Sequence, residues 1–389
     1  MQQKLELNHI VQSFEESHFS IVTKLAMEHK AINLAQGFPD FDGPQWVIDL
    51  AAAALNQNKN QYSPSLGILP LREAISGQYQ DFYELFYDPK SEVLVTNGAT
   101  EAIYATIMAL INPGDEVIIF EPFYDSYLAS LKMAKADIKF FPLEVPHFAF
   151  DPKNLENLIT PKTKLLILNS PHNPTGKVFS LSELSAIAML AQKHNFYILS
   201  DEVYEFITFD KPHIPIASLP GMKERVITIS SIGKTLSLTG WKIGWALAPT
   251  HLLKAIHHVH QFITFCVATP LQVAIAQTLP KLNTYLVDLK NSYRMKRDYL
   301  VNGLTKLHFE VLEPSGTYFL LAKTQKNMTD EALMKKLILG KRVAVIPLSG
   351  FYKNSLENKQ YVRFCFAKKE ETLKLALDNL SMQATLSPK

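Results

Sequence analysis

The chain has 389 residues, 47% of them apolar and 20% charged, with a formal net charge of +2. That length predicts more than one compact unit. The composition is that of a globular protein, and so small a net charge offers nucleic acid no electrostatic footprint. Two cysteines, Cys266 and Cys365, are too few for a disulfide framework and suit a reducing compartment.

The first stretch, MQQKLELNHIVQSFEES, carries Glu6, Glu15 and Glu16 without an apolar centre, so it does not read as a signal peptide. No run approaches the length of a membrane span. The expectation is a cytoplasmic protein with no membrane partner.

From about residue 45 to 280, short apolar runs alternate with longer amphipathic ones, which predicts βα units around a mainly parallel sheet. The strand candidates are VLVT (93–96), EVIIF (116–120), LLIL (165–168), FYILS (196–200) and VITIS (226–230). Between the third and fourth, SLSELSAIAMLAQKHN predicts a crossover helix opened by a capping box of Ser180 and Glu183. After 285 the pattern changes to a long charged helix (NSYRMKRDYLVNGL) and strands GTYFLL, RVAVIP and YVRFCF. This predicts an α/β architecture with a large domain over 45–285. Residues 1–44 and 286–389 would form a smaller α+β domain.

Two apparent motifs carry little. TISSIGKT (228–235) nearly fits a phosphate loop, but Thr228 stands where the first glycine belongs, and no G-x-G-x-x-G occurs. His257, His258 and His260 fit no common metal spacing and read as helical, partly exposed structural residues, so no metal is expected.

Open parallel sheets bind ligands at the carboxyl ends of their strands, and here several such ends carry polar groups. NGAT (97–100) precedes a helix, so free N–H groups at Ala99 and Thr100 could cap a phosphate or simply start a helix. NSPHNPTG places Asn173 before a proline, Asp201 ends an apolar strand, Tyr204 follows three residues on, and Lys234 stands without an acidic neighbour. An amine, an anion, hydroxyl and amide donors and a phosphate cradle together fit one ligand, pyridoxal 5'-phosphate.

At this point the chain resembles the class I/II aminotransferases of fold type I. The likeness runs through NLAQGFPDFDGP, NQYSPSLGILPLREAI, EPFYDSY, NSPHNPTGKVF, SDEVYE, SSIGKTLSLTGWKIGW and VRFCFAKKE. Within that group it is most similar to bacterial methionine aminotransferases and kynurenine aminotransferases.

The resemblance implies roles. Lys234 would be the Schiff-base lysine and general base, and Asp201 the partner of the ring nitrogen. Asn173 and Tyr204 would hold the phenolic oxygen, and Tyr124 would stack on the ring. The phosphate would take Ala99, Thr100, Ser231, Lys242 and, from a second subunit, Tyr62, which implies a homodimer. Arg363, with the backbone of Gly37, would grip the substrate carboxylate, and Asn173 would contact substrate as well as cofactor. Arg363 could otherwise be an exposed edge-strand residue. Phe19 and Phe38, with Phe265 from the partner subunit, would form an apolar side-chain pocket suited to methionine or aromatic donors, with a 2-oxo acid as acceptor. The same site could run β-elimination on cysteine conjugates. The complete residue set argues against a non-catalytic sensor of amino ligands.

Overall fold

A computed structural model describes residues 6–324, 328–353 and 360–382. The first five residues of the stretch that does not read as a signal peptide therefore lie outside the described residues.

Seven strands form the principal sheet: β2 (Val93–Asn97), β3 (Glu116–Glu121), β4 (Asp137–Pro142), β5 (Thr163–Asn169), β6 (Tyr197–Asp201), β7 (Val226–Ser231) and β8 (Ile243–Leu247). Their order is β2-β8-β7-β6-β5-β3-β4, with β8 antiparallel to both neighbours and every other pairing parallel. β2, β5, β6 and β7 consequently point their carboxyl ends to the same edge. The sequence reading missed β4, an edge strand of mixed polarity, and β8, whose IGWAL follows directly on the polar TGWK turn.

Alternate residues of these strands enter two different cores. Leu165 and Ile167 join one cluster with Ile119, Ile229 and Ile103, whereas Leu166 and Leu168 join another with Ile118, Val95 and Trp245. Burial on both faces explains why the strands read as continuous apolar runs rather than alternating ones. The crossover helix Leu181–His194 starts on Ser180, whose side chain and that of Glu183 cap each other's backbone as predicted.

A second sheet has the order β12-β13-β10-β9, from Ile346–Pro347, Tyr361–Cys365, Phe319–Lys323 and Val311–Leu312, all antiparallel. RVAVIP, read as one strand, is two. β11 (Val343–Ala344) pairs in parallel with β1 (Ile32–Asn33), and β12 then joins the other sheet. This pairing ties the N-terminal segment to the C-terminal part. The helix Leu282–Lys306 begins earlier than its charged stretch indicated and runs unbroken through residues 285 and 286.

Candidate active site

The strand ends converge on a cleft of about 450 Å³. Gly37, Ala99, Thr100, Tyr124, Asn173, Asp201, Tyr204, Ser231, Lys234, Lys242 and Arg363 all line it, together with Phe19 and Phe38. Residues separated by more than 300 positions in sequence thus share one space.

At the end of β2 the chain enters the helix Gly98–Leu110. Gly98 has a φ of +74°, a conformation that suits a residue without a side chain. A Cβ there would stand 3.2 Å from both Cε and Nζ of Lys242. Gly244 on β8 allows a still closer approach, since a Cβ would fall 2.7 Å from the backbone nitrogen of Ala99. The first-turn N–H groups of a helix have no intrahelical acceptors and carry its positive end, so this corner favours an anion.

His260 locks that corner in place. It was expected to be partly exposed, but on the helix Thr250–Ile263 it is buried, because its two ring nitrogens meet the Glu101 carboxylate at 2.8 Å and the Ser65 carbonyl at 3.0 Å. Glu101 Oε2 in turn accepts from the Asn97 N–H at 2.5 Å. His257 is partly buried and His258 exposed, as expected.

β7 ends at Ser231 and a single helical turn, Ile232–Thr235, presents Lys234. Its amine stands 5.7 Å from the ring centroid of Tyr204 and 6.0 Å from that of Tyr318. Loss of hydration lowers its pKa to about 8, against the opposing influence of Cys365 and Asp201. Lys242 follows a short turn with φ at +53°, the left-handed conformation that non-glycine residues seldom adopt.

Asp201 ends β6 and is buried. Burial raises its pKa to about 6, while hydrogen bonds from Tyr127 and the Val203 N–H act to lower it. Tyr127 donates to Oδ2 at 2.5 Å, and Asn169 holds the Asp201 carbonyl at 2.8 Å while accepting from the Asn173 N–H at 2.8 Å. Sequence reasoning singled out neither Tyr127 nor Asn169. Tyr127 stands three places after Tyr124 in EPFYDSY, one helical turn away, and that spacing was the available signal.

Arg363 lies on β13 between β12 and β10, so it is not on an edge, and it is 1% exposed. Nη1 donates to Asn173 Oδ1 at 2.6 Å and Nη2 to the Ala35 carbonyl at 2.9 Å, while Nε is buried without a partner. The guanidinium packs over Phe319 at 3.8 Å, Phe351 at 5.0 Å and Phe19 at 5.3 Å. Among the described residues the acceptors of its hydrogen bonds are neutral, and such a buried cation is a seat for an incoming anion.

Tyr62 and Phe265 do not enter this cleft. Their rings meet edge to face at 5.6 Å elsewhere on the surface, and Tyr62 is 85% exposed.

An amine, an acid, an aromatic ring and an anion corner lining one cleft fit pyridoxal phosphate in charge and chemistry. The resident amine has its pKa lowered to about 8, and Gly98 and Gly244 leave the phosphate corner open.

The model of the family "Aminotransferase class I and II" matches residues 29–380. Methionine aminotransferase of Escherichia coli is 41% identical over 93% of this chain and 94% of its own length. Kynurenine–oxoglutarate transaminase of Dictyostelium discoideum is 38% identical over 95% and 94%. The solved structure of N-succinyldiaminopimelate aminotransferase from Mycobacterium tuberculosis superposes with a TM-score of 0.94, at 41% identity, covering 97% of this chain and 99% of that one. With the cleft, the sheet and these likenesses in agreement, the chain belongs to the class I and II aminotransferases and is a pyridoxal-phosphate-dependent enzyme of fold type I.

Proposed function

We propose that this aminotransferase takes its amino group from methionine or an aromatic amino acid and passes it to a 2-oxo acid. One observation carries the donor preference. Among the described residues, the lysines and arginines lining the cleft are Lys234, Lys242 and Arg363, and each is matched to the amine, the phosphate or the α-carboxylate. No further such cation lines the cleft to meet a second carboxylate, and Asp125 adds a negative charge to the lining. Phe19 and Phe38 offer apolar surface, which favours a thioether or a ring and makes an unpaired carboxylate costly.

When bound, pyridoxal phosphate supplies an electrophilic aldehyde and a ring that accepts electrons from the substrate's Cα. Lys234 is the residue that attaches it and then serves as base. With a pKa of about 8, roughly a tenth of its Nζ is uncharged at pH 7, far more than for an ordinary lysine, and can take the α-proton and return it. Asp201 provides the anion for the ring nitrogen, Tyr124 the stacking face, and Asn173 and Tyr204 the donors to the phenolic oxygen. Ala99, Thr100, Ser231 and Lys242 hold the phosphate. Arg363 turns Nε and its Nη groups to the α-carboxylate, with Gly37 beside it. Phe265 and Tyr62, which lie outside their own chain's cleft, would complete the site of a second copy in a homodimer. We read residues 45–285 as the large domain, 1–44 with 286–389 as the small one, and the cytoplasm as the compartment.

The test is kcat/KM for methionine, phenylalanine and aspartate with one fixed acceptor. Methionine and phenylalanine should exceed aspartate by at least about tenfold, the equivalent of about 1.4 kcal/mol. Aspartate in front would sink the apolar-pocket reading.

A further inference from the structure

The aromatic lip of the cleft is held by a lysine that plays no part in the chemistry above. Lys368 follows β13 and is 3% exposed, an unusual state for a lysine. Its Nζ donates to the Phe38 carbonyl at 2.7 Å and stands 5.1 Å from the centroid of the Phe38 ring. One amine thus grips both the backbone and the side chain of the same residue.

Around it the segment 37–40 is fastened on each side. Tyr318 donates its hydroxyl to the Gly37 carbonyl at 2.6 Å. Asp40 accepts from the Lys369 N–H at 2.6 Å and from the Thr372 hydroxyl at 2.7 Å, at the start of the helix Glu370–Ser381. The carboxylate there also suits the positive end of that helix. Phe38 itself remains 48% exposed, so its ring is not fixed by burial. Among the described residues, the cation that stands over that ring is Lys368.

We infer that Lys368 is a positioning residue for substrate specificity: it fixes Phe38 as a wall of the side-chain pocket, through a charge-assisted hydrogen bond and a cation–π contact. This rests on the proposed reading that Phe38 faces the donor's side chain. Lys368 is not among the residues lining the cleft, so its influence reaches substrate only through Phe38. A donor with a large apolar side chain uses the wall, and alanine does not.

The test compares the holoenzyme with Lys368→Met, which keeps an apolar stem and removes donor and charge, and with Lys368→Arg, which keeps both. For Lys368→Met we expect KM for phenylalanine to rise about five- to tenfold, as the loss of a charge-assisted hydrogen bond and cation–π contact would give. KM for alanine and kcat with either donor should change less than about twofold, and Lys368→Arg should restore much of the phenylalanine KM. Amide exchange over residues 36–40 should quicken in Lys368→Met and not in Lys368→Arg. Lys368→Gln carries the same expectation as Lys368→Met if the latter does not fold. Equal changes in KM for alanine and phenylalanine, or unchanged exchange over 36–40, would overturn the inference. Should the wild-type enzyme prefer aspartate, the donor reading fails by itself, and the exchange measurement still decides whether Lys368 holds the lip.

Discussion

The Tyr127 hydroxyl donates to Oδ2 of Asp201 at 2.5 Å, inside a region where both side chains are buried. Burial penalises the carboxylate and pushes its pKa to about 6, and the tyrosine pulls the other way. An acid meant to face a cationic ring nitrogen must be ionised, so Tyr127 supports the charge that burial opposes. Tyr127→Phe should therefore raise the Asp201 pKa further. Because the active form is the ionised one, activity is lost as pH falls through that value. The acid limb of kcat/KM should move upward by about one pH unit, given the worth of a hydrogen bond to a charged group. An unmoved limb would separate Tyr127 from the function of Asp201.

Gly98 offers a backbone test of the anion corner. Its φ of +74° costs an L-residue roughly 1–2 kcal/mol, and a Cβ would press on Lys242. Gly98→Ala should lower the unfolding free energy by about that amount and weaken cofactor affinity at least about tenfold, since both the first helical turn and Lys242 must shift. Cofactor titration by absorbance measures the second effect. Normal affinity with lowered stability would show that the glycine serves the fold alone.

The lowered pKa of Lys234 sets a pH dependence for cofactor attachment to the cofactor-free protein. Only the uncharged amine attacks an aldehyde, and its fraction grows as pH rises through about 8 instead of the ordinary lysine value of 10.5. The rate of attachment should rise with pH and level off above about 8. A rate still climbing steeply above pH 9 would contradict the desolvated setting. Lys234→Ala should bind cofactor without attachment, fold normally and turn over nothing. Borohydride should then trap no cofactor on the variant, while in the wild type it marks the peptide that contains Lys234.

Much of this organisation was legible in the sequence because its causes are local. Ser180 and Glu183 cap one helix turn, and the strands of the large sheet are apolar on both faces, so each announces itself within a few residues. β8 and β4 were hidden for opposite reasons. β8 begins inside a motif dense in polar residues, and β4 is an edge strand exposed on several positions. In the site, the residues proposed to touch a ligand stood out by chemistry or by likeness to a family. Their supports did not. Asn169, Tyr127 and His260 act on groups 32, 74 and 159 positions away, a separation that composition and spacing do not reveal.

The last prediction concerns Tyr62 and Phe265, which pack against each other at 5.6 Å and lie outside their own chain's cleft. Such a pair exposed on one chain is poorly explained by the single-chain core, and a large apolar side chain 85% exposed, as Tyr62 is, is better suited to an interface. If Tyr62 serves a second copy, each site needs Lys234 from one chain and Tyr62 from the other. Tyr62→Phe and Lys234→Ala chains, mixed under conditions that let subunits exchange, would then form hybrids with one intact site and one doubly impaired site. Random pairing makes half the dimers hybrid, so specific activity should reach about a quarter of wild type beyond what the separate variants retain. If Tyr62 instead served its own chain, no hybrid would contain an intact site and mixing would add nothing. Sedimentation of the same mixture distinguishes a failure to exchange from a failure of the geometry, because a protein that stays monomeric at micromolar concentration cannot share sites at all.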